Sequence, residues 1–562
     1  MQEGYSSFPN KYQVGKTKYI VITGSVISGV GKGTFSSSLG NLLKLYHNLN
    51  VSPVKFDGYL NVDAGTLNPY RHGEVFVLDD GTETDLDLGS YERMLNHNLT
   101  KDNYLTAGKL FKMIIDKERA GDYLGRDVQF IPHVTGEAKL FLRNLAVKSN
   151  ADVVLVEVGG TVGDLENSYF LEAMRELAYE DGKNNVCFVN VCYIVEPPAL
   201  GEHKSKAAQL GIRTLMQLGI QPDMVICRSH RPVTENIKEK MSVFSNIPVS
   251  RVVNMFDSGT IYTLPIFLKD LGVDTEILKI IGLKTGSAAA REFLKWEELV
   301  KKITSAKKQI TVAITGKYTG VHDSYLSILK ALEHTGPYCG AKVNVKWIDT
   351  TEIKNQPDAN NFLAGVNGII VPGGFGERGV EGKIECIRFA RENNVPYLGL
   401  CYGMQLATIE FARNILGLEG AHTTEVNPKT PHPVICILPE QEEIKGLGGT
   451  MRLGGFDVLV KENSVAHRLY GNTKIRERFR HRYNVNTKYI DQLQEGGLVF
   501  SGTAPQQTDT DKVSVHPLKK IMQILELPEH KFFLGTQFHP EFTSRPLEPN
   551  PLFRGFVEAC SK

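Results

Sequence analysis

The stretch KYIVITGSVISGVGKGTFSSSLG, residues 18–40, decides the fold of the first half of the chain. Its first six residues are typical of a buried strand, and the residues from Thr34 onward are typical of a helix start. The glycine-rich turn between them carries Lys32 and would present backbone N–H groups to a phosphate. The usual loop, G-x-x-x-x-G-K-[ST], has glycine where Val26 stands and a hydroxyl residue where Gly33 stands. Three interpretations stay open: a damaged nucleotide site, a variant one, or a simple glycine turn.

The size and composition of the chain indicate a multidomain globular protein. It has 562 residues, of which 41% are hydrophobic and 23% charged, and its net charge is +1. At roughly 100–200 residues per domain, this length predicts more than one domain with ample cores. The near-zero net charge gives no reason to expect a nucleic-acid or membrane partner, although it leaves room for a local patch.

The cysteines and the N-terminus favour a reducing compartment. The 8 cysteines are scattered and form no C-x-x-C pair, which argues against a zinc ribbon and against a disulfide framework. The N-terminus lacks the apolar run of a signal peptide, and no stretch approaches the roughly 20 apolar residues of a membrane span. We therefore expect a cytoplasmic protein in which residues 1–17 are a disordered lead.

The pattern along the chain predicts two α/β domains joined by a linker. Three runs read as buried strands: VVLVEV (153–158), VCFVNVCYIV (186–195) and DMVICR (223–228). They alternate with helical patterns, as in a parallel sheet with crossover helices. After a second strand series begins at ITVAITGKY (310–318), two strands end in glycine turns. We assign residues 18–283 to the first domain, 284–308 to the linker and 309–562 to the second domain.

The linker contains one amphipathic helix. Its apolar positions recur at helical spacing; they are Phe293, Trp296, Leu299, Val300 and Ile303.

The second half contains a candidate cysteine nucleophile. In PYLGLCYGMQ an apolar strand runs into a G-x-C-x-G turn centred on Cys401. Small residues on both sides let the chain turn sharply and hold the thiol at a helix N-terminus, where the thiolate is favoured. The backbone N–H of Tyr402 would face an oxyanion, and the Gly373-Gly374-Phe375 turn can supply a second donor.

A base and its orienting acid follow in FLGTQFHPEF (533–542). His539 and Glu541 are two residues apart, so on an extended chain they would face the same side. Taken alone, Cys401 reads better as a small buried hydrophobe and His539 as a core histidine. The elbow, the HPE triplet and the PGGFG turn occur together, however, and this favours a nucleophile–base–acid arrangement.

These motifs resemble the class I glutamine amidotransferase family. The shared segments are PGGFG, GLCYGMQ and QFHPEF. The resemblance implies that Cys401 attacks glutamine as the nucleophile, that His539 is the base and that Glu541 orients it. Ammonia would leave through a glutamyl thioester. Tyr402 stands where the family often has leucine, but its backbone N–H serves equally.

Carboxylates that could hold a metal ion lie in the first half. Glu83, Asp85 and Asp87 alternate in GTETDLDLG, so an extended chain would point all three one way. Glu157 ends a buried strand, at the edge where open α/β sheets bind ligands. Mg²⁺ prefers one or two carboxylates together with phosphate oxygens, so Asp87 with Glu157 would suit it. Alone, the acidic run of residues 83–87 reads better as a solvated loop.

Further segments make the chain from about residue 18 similar to the CTP synthase family. They are VKFDGYLNVDAGTLNPYRHGEVFV (54–77), KERAGDYLG (117–125), VQFIPHVT (128–135) and GEHKSKAAQ (201–209). The family carries the same phosphate loop, so the resemblance identifies the loop as a family variant. It implies that ATP phosphorylates the 4-oxygen of UTP and that ammonia displaces the phosphate to give CTP. It also implies two open, mainly parallel α/β domains.

The resemblance assigns roles residue by residue. It implies ATP binding by Ser28, Gly29, Val30, Gly31, Lys32, Gly33, Thr34, Lys55 and Asp87, and Mg²⁺ binding by Asp87 and Glu157. It implies UTP and CTP binding by Gly163, Asp164, Leu165, Glu166, Lys204, Ser205, Lys206, Gln209 and Lys240. It implies oxyanion and glutamine binding by Gly374, Phe375, Tyr402, Gln405, Glu425 and Arg482. Arg452, in GLGGTMRLG (446–454), is the candidate contact for the activator GTP. The region from Val62 to Tyr70, with His72, is the candidate ammonia gate.

The resemblance also carries expectations about assembly and regulation. It implies inhibition by CTP and a homotetramer, and some members of the family stack into filaments. The family often has K-T-K-P-T-Q where this chain has Lys204 to Gln209 as KSKAAQ, and the lost proline predicts altered UTP affinity or CTP inhibition. Two alternatives are weaker. A GMP synthetase-like enzyme needs an adenylating loop rich in Ser and Gly that we do not find, and a non-catalytic assembly protein should have lost Cys401, His539, Lys32 or Glu157.

Overall fold

The computed structural model describes residues 8–562 except 285, 287–289, 318–319, 439–448 and 505–520. The chain forms two compact units. Unit 1 contains the described residues up to Asp63 and Ser90–Val300, and unit 2 contains Ala64–Gly89 and Lys301–Lys562. The segment 64–89, which the sequence assigned to the first domain, therefore belongs by its contacts to unit 2.

The strands and helices of the first 305 residues alternate along most of the chain. The strands are β1 (Lys18–Ser25), β2 (Val51–Asp57), β3 (Phe76–Val77), β4 (Glu83–Thr84), β5 (Tyr104–Thr106), β6 (Val153–Val158), β7 (Val186–Tyr193), β8 (Met224–Ser229) and β9 (Val252–Phe256). The α-helices are α1 (Lys32–Leu45), α2 (Pro69–His72), α3 (Leu86–Leu95), α4 (Ala107–Ala120), α5 (Thr135–Ser149), α6 (Ser168–Asp181), α7 (Lys206–Gln217), α8 (Glu235–Ser245), α9 (Leu264–Asp270), α10 (Val273–Ile280) and α11 (Ala290–Ser305).

The remaining residues form a second series of strands and helices. The strands are β10 (Lys308–Gly316), β11 (Ala341–Asp349), β12 (Gly368–Val371), β13 (Tyr397–Leu400), β14 (His422–Thr423), β15 (Pro433–Ile437), β16 (Arg452–Val460), β17 (Lys474–His481), β18 (Tyr483–Val485), β19 (Val499–Thr503), β20 (Met522–Glu526) and β21 (Phe533–Thr536). The α-helices are α12 (Leu326–Thr335), α13 (Gln356–Phe362), α14 (Val380–Glu392), α15 (Tyr402–Asn414), α16 (Val465–Tyr470), α17 (Ile490–Glu495), α18 (Pro540–Thr543) and α19 (Pro551–Ser561).

Unit 1 is built on a seven-stranded sheet in the order β5-β2-β6-β1-β7-β8-β9. Every neighbouring pair in it is parallel. The strands predicted in the first half, at residues 18–23, 153–158, 186–195 and 223–228, all lie in this sheet, and their alternation with helices explains the parallel pairing. Apolar side chains pack on both faces, so the sheet is buried as all-parallel sheets are.

Residues 8–17 make specific side-chain contacts within unit 1, so our expectation of a disordered lead is wrong for these residues. Tyr12 donates a hydrogen bond to Asp181, and the Phe8 ring lies 3.9 Å from the guanidinium carbon of Arg143. Thr17 donates to the carbonyl of Ala151 at 2.8 Å. Aromatic rings and charge-assisted hydrogen bonds hold this short segment, which the composition of residues 1–17 did not indicate.

The predicted amphipathic linker helix is α11, and it packs on unit 1. Phe293, Trp296 and Leu299 are buried, and the Trp296 indole N–H donates to the carbonyl of Tyr262 at 2.9 Å. The helix is therefore a packed element rather than an open tether.

Unit 2 contains a nine-stranded mixed sheet in the order β11-β10-β12-β13-β21-β20-β19-β16-β17. The first five strands are parallel, and the pairs from β21 to β17 are antiparallel. A three-stranded sheet (β14-β15-β18) and the β3–β4 hairpin complete the unit. In the part of the chain that the structure describes, no helix combines the length and apolar character needed to cross a bilayer.

Candidate active sites

The elbow predicted around Cys401 is present in unit 2. Strand β13 ends at Leu400 and helix α15 begins at Tyr402, so Cys401 is the N-cap residue, with φ 51° and ψ −96°. This backbone conformation is unusual for a residue with a side chain and marks a strained, functional turn. A Cβ on Gly403 would lie only 2.2 Å from the carbonyl oxygen of Val371, so the close approach of two backbone segments requires glycine there.

His539 and Glu541 form a buried pair. The Nδ1 atom of His539 lies 2.7 Å from Oε1 of Glu541, and both residues are less than a tenth exposed. The expectation of an extended pair is wrong, because α18 begins at Pro540 and places Glu541 in the first turn of this short helix. His539 is the N-cap residue of this helix, and Glu541 contacts it from the first turn.

The charge of Glu541 controls the ionisation of His539. Burial lowers the pKa of His539, but the charges of Glu541 and Cys401 outweigh burial and raise that pKa to about 10. His539 is therefore held as an imidazolium across the neutral pH range. An imidazolium facing a thiol is the setting that stabilises a thiolate nucleophile.

Two further contacts fix the position of the Cys401 sulfur. The Gln537 amide Nε2 lies 3.4 Å from Sγ, and Sγ lies 3.6 Å from the carbonyl oxygen of Arg480. A Cβ on Gly373 would lie 3.7 Å from the Cys401 Cβ and 2.9 Å from the His539 Cε1, so the PGGFG turn passes directly beside both residues. The structure thus brings together the nucleophile, the base, the acid and the predicted oxyanion turn.

The predicted glutamine-binding residues surround this turn. Glu425 accepts a hydrogen bond from the N–H of Gly376 at 2.9 Å, and the Tyr402 hydroxyl donates to the Gly376 carbonyl at 3.2 Å. Burial raises the pKa of Glu425, although the Gly376 bond opposes the shift. Phe375 is exposed on the same turn, and the Lys317 ammonium lies 4.6 Å from its ring centroid.

The other predicted residues of unit 2 hold the neighbouring strands. Gln405 donates to the carbonyl of Tyr483 at 2.8 Å, and Arg482 donates to the Thr450 hydroxyl at 2.6 Å. Arg452 lies on β16, where its guanidinium carbon is 4.3 Å from the Phe456 ring centroid. Residues 446–448 of the predicted GTP loop lie outside the described residues.

The phosphate loop of unit 1 has the predicted strand–loop–helix form, with α1 beginning at Lys32. Val26, which replaces the first glycine of the usual motif, has φ 82°, a left-handed conformation that glycine adopts far more easily. The variant loop therefore keeps the backbone of a glycine turn. The Lys32 ammonium donates to the carbonyl of Gly160 at 2.6 Å.

Lys55 and Glu157 meet at the carboxyl edge of the unit 1 sheet. The Lys55 Nζ atom is 3.8 Å from Glu157 and 3.7 Å from Asp57, and Glu157 accepts from the Tyr91 hydroxyl at 2.8 Å. Glu157 is a buried carboxylate at this edge, and carboxylate oxygens are donors that Mg²⁺ prefers, so Glu157 fits the expected metal.

The acidic run around Asp87 differs from its prediction. Glu83 lies in β4, whereas Asp87 lies in the first turn of α3, because the helix begins at Leu86. The three alternating acids therefore do not point one way. Glu83 is buried in unit 2, where it pairs with Arg480 at 2.8 Å. Asp87 is half-buried, and its N–H donates to the Asp85 carboxylate at 2.9 Å.

Most of the predicted UTP and CTP residues are exposed on unit 1, whereas Ser205 and Gln209 are buried. Lys204 pairs with Glu202, and the hydrogen bond and charge of Lys204, with a smaller contribution from the charge of Lys240, lower the pKa of the Glu202 carboxyl. Gln209 donates to the Ser205 hydroxyl at 3.0 Å. The exposed turn 163–166 lies near the same helix, since a Cβ on Gly163 would be 3.4 Å from Thr214 of α7.

Comparisons with known proteins match this arrangement over both halves. Residues 18–283 match the family described as CTP synthase N-terminus, and residues 320–559 match glutamine amidotransferase class-I. The CTP synthase of Thermococcus gammatolerans is 48% identical over 544 residues, which are 97% of this chain and 98% of that protein. The chain belongs to the CTP synthase family. It is therefore an enzyme of the glutamine-hydrolysing, C–N bond-forming ligase class.

Two more members of the CTP synthase family illustrate the range of similarity. The CTP synthase of Thermococcus kodakarensis is 48% identical over 97% of this chain and 99% of its own length. The solved structure of the Trypanosoma brucei CTPS glutaminase domain with bound acivicin is 35% identical. It covers 45% of this chain and 93% of that chain, with a TM-score of 0.41.

In this member of the CTP synthase family, the structure places near Cys401 two residues that the sequence analysis did not single out. Gln537 contacts Sγ of Cys401, and the only sequence signal was its place two residues before His539. Lys383 is buried with its ammonium 5.5 Å from the Tyr402 ring centroid, and burial together with Lys317 lowers its pKa to about 8. Among the described residues, no group of three or more His, Cys, Asp or Glu side chains could hold a metal ion.

Proposed function

We propose that this chain makes CTP by ATP-dependent amination of UTP, with ammonia released from glutamine. The observation that carries the proposal is the buried arrangement of Cys401, His539 and Glu541 in a chain that matches CTP synthases over nearly its whole length. The amidotransferase unit needs an acceptor for its ammonia, and the family relationship of residues 18–283 supplies one.

In the glutaminase reaction, Cys401 is the nucleophile. Its thiolate attacks the side-chain amide carbon of glutamine, and the imidazolium of His539 donates a proton to the departing ammonia. His539 then takes a proton from the water that hydrolyses the glutamyl thioester. Glu541 holds the imidazole through Nδ1. The N–H groups of Gly374 and Tyr402 stabilise the oxyanion, while Glu425 and Arg482 bind the amino and carboxylate ends of glutamine.

In the synthetase reaction, a poor leaving group is converted into a good one. ATP transfers its γ-phosphate to the 4-oxygen of the uracil ring, and ammonia then displaces phosphate from that carbon. Lys32 and the backbone of residues 28–34 hold the ATP phosphates, and Lys55 adds a second cation. Glu157 and Asp87 would hold Mg²⁺, which supplies charge neutralisation on the phosphates when it is bound.

The remaining family features complete the proposal. The region that contains residues 163–166, Lys204, Ser205, Lys206, Gln209 and Lys240 binds the triphosphate of UTP, and CTP inhibits there by competing for it. GTP activates glutamine hydrolysis through Arg452. We further propose a cytoplasmic homotetramer with two α/β domains, a linker at 284–308 and an ammonia gate near residues 62–72.

The proposal is tested by replacing the nucleophile. We expect Cys401→Ala to lose glutamine-dependent CTP formation by at least about 10³-fold, since the thiolate forms the covalent intermediate. Ammonia-dependent CTP formation from UTP, ATP and Mg²⁺ should stay near the wild-type rate.

Cys436→Ala is the matched control, because this half-buried cysteine of the same unit has no part in the mechanism. It should leave both rates unchanged. If the wild type hydrolyses glutamine but makes no CTP from either nitrogen source, the synthetase assignment is wrong. If Cys401→Ala keeps its glutamine-dependent rate, the nucleophile is wrong.

A further inference from the structure

The β3–β4 hairpin binds three arginines of β17. These are Arg476, Arg478 and Arg480, which alternate along the strand and therefore share one face. Asp79 pairs with Arg476 at 2.9 Å, and the carbonyl of Val77 accepts from Arg478 at 3.0 Å. The segment 64–89 thus contacts three arginine side chains of β17, and all of these contacts lie within unit 2.

The third contact, between Glu83 and Arg480, is the most buried. Glu83 is 1% exposed, and its Oε1 accepts from the Arg480 Nε at 2.8 Å. Its Oε2 accepts from the N–H of Gly449 at 3.3 Å, and Arg480 also donates to the carbonyl of Gly65 at 3.2 Å. A buried carboxylate with a charged partner and a backbone donor is held in one position, because losing the arginine would leave a buried charge unpaired and losing the N–H would leave an acceptor unsatisfied.

The backbone of the same strand holds two members of the triad. The carbonyl of Arg480 is 3.6 Å from Sγ of Cys401, and the carbonyl of Arg478 accepts from the N–H of His539 at 2.8 Å. The distance between nucleophile and base therefore depends on where these two carbonyls lie. The hairpin contacts the side chains of the same two residues, Arg478 and Arg480.

We propose that Glu83 is a positioning residue for glutamine hydrolysis, acting through Arg480 on the strand that places Cys401 and His539. The inference rests on the proposed roles of those two residues. Glu83 does not contact the reacting atoms. It anchors Arg480, and the carbonyl of Arg480 sets the position of the Cys401 sulfur relative to the imidazole.

The proposal explains why an acid in the first half of the sequence is buried in the amidotransferase unit. Glu83 lies only four residues before Asp87, the predicted ATP and Mg²⁺ residue. One continuous segment therefore carries a residue of each half-reaction. If this segment moved, the movement would be transmitted to the Cys401 sulfur through the Glu83–Arg480 ion pair and the carbonyl group of Arg480.

The test compares Glu83→Gln, Arg480→Gln and the double variant in the full-length protein. We expect each single variant to lower kcat for glutamine hydrolysis about 10- to 100-fold, because small displacements of reacting groups cost about this much. KM for glutamine should change less than about threefold, since Glu425 and Arg482 are untouched. The double variant should lose no more than the worse single variant, because the pair acts as one unit.

Asp79→Asn is the matched control. Asp79 lies on the same hairpin, and the substitution removes the charge that pairs with Arg476; in the described part of the chain, the backbone hydrogen bonds between these arginines and the triad involve Arg478 and Arg480. It should leave kcat within about twofold, as expected for an exposed ion pair. Ammonia-dependent CTP formation serves as the folding control, and it should stay within about threefold of wild type in every variant.

Several results would overturn the proposal. Unchanged kcat in Glu83→Gln would do so, as would equal losses of the glutamine- and ammonia-dependent rates, which mark a general folding defect. Losses that add in the double variant would show that the two residues act separately. Failure of the underlying function is distinguishable, because it requires that Cys401→Ala keep glutamine hydrolysis.

Discussion

The two candidate sites differ in the kind of partner that holds their charged groups. In unit 2 the imidazole of His539 is 2.7 Å from Glu541, and the sulfur of Cys401 has contacts from a side chain and a carbonyl. In unit 1 the Lys32 ammonium donates to the carbonyl of Gly160 at 2.6 Å, and the Lys55 ammonium lies 3.7 Å from Asp57 and 3.8 Å from Glu157.

This difference follows from the chemistry that each site performs. A thiolate nucleophile needs its base and acid aligned before the substrate arrives, so the triad is preorganised by short hydrogen bonds. A phosphoryl-transfer site receives several negative charges together with its ligand. Lysine side chains are flexible, so Lys32 and Lys55 can reorient from their present partners toward those charges.

The largest expected effect separates the two sites by their products. Lys32→Ala should lower CTP formation from both glutamine and ammonia by about 10³-fold, because the loop loses the cation that opposes phosphate charge. Glutamine hydrolysis should persist, since Lys32 lies in unit 1. The measurement is the rate of CTP formation beside the rate of glutamate release.

Lys44→Met is the matched control for Lys32, because Lys44 lies at the other end of α1 and donates to the carbonyl of Leu95. Its CTP formation should stay within a few-fold of wild type. A parallel loss of glutamate release in Lys32→Ala would contradict the division of labour between the sites.

A smaller effect sharpens the account of the triad. Glu541→Gln should lower kcat/KM for glutamine about 10- to 100-fold and move the alkaline limb of the pH profile down from near pH 10. The sign follows from the charges: Glu541 raises the pKa of His539, so neutralising it lets that pKa fall. The measurement is kcat/KM for glutamine between pH 6 and 10.5.

Ammonia-dependent CTP formation by the same variant should keep its own pH profile. If the alkaline limb of the glutamine profile does not move, His539 is not the group that titrates there.

The smallest expected effect concerns the stability of β17, the strand whose backbone contacts Cys401 and His539. Glu477 of β17 is buried, and burial raises its pKa to about 7, although hydrogen bonds from Tyr470, Thr543 and Asn550 lower it. Because the folded-state pKa exceeds the ordinary value, the stabilisation is complete below pH about 4 and is lost as the pH rises through 7. Glu477→Gln stays neutral and should be more stable than wild type at pH 8 by about 1–2 kcal/mol.

The measurement for Glu477 is the difference in Tm between variant and wild type from pH 5 to pH 8. The difference should grow with pH in favour of the variant. A constant difference would mean that Glu477 does not titrate in this range. Asp457→Asn, on the neighbouring strand, removes an exposed carboxylate paired with Lys474 and should show no such trend.

The sequence predicted the parts of the fold that depend on local pattern. The strands predicted at 18–23 and 153–158 and the elbow at Cys401 follow from apolar runs and glycine turns, which act over a few residues. Local patterns do not predict contacts between segments that are far apart in the sequence. Nothing near Glu83 indicated that it would pair with Arg480, almost 400 residues later.

Two predictions from the sequence were wrong for reasons that the structure explains. The alternation rule placed Glu541 beside His539 on an extended chain, but Pro540 begins a helix there, as proline often does. The lead up to residue 17 is rich in polar residues, and its order depends on Phe8 and Tyr12 meeting Arg143 and Asp181. Those partners are more than 120 residues away in sequence, beyond the reach of any local pattern.

The route of the chain has a consequence for dissecting the protein. It leaves unit 1 after Asp63, returns at Ser90 and leaves again after Val300, so unit 2 is discontinuous in sequence. A fragment beginning at Lys301 would leave Arg476, Arg478 and Arg480 facing water where the hairpin belongs. Gene truncation at the apparent boundary therefore does not yield the complete folding unit. A faithful transplant of this glutaminase into another protein would have to carry residues 64–89 as a second piece.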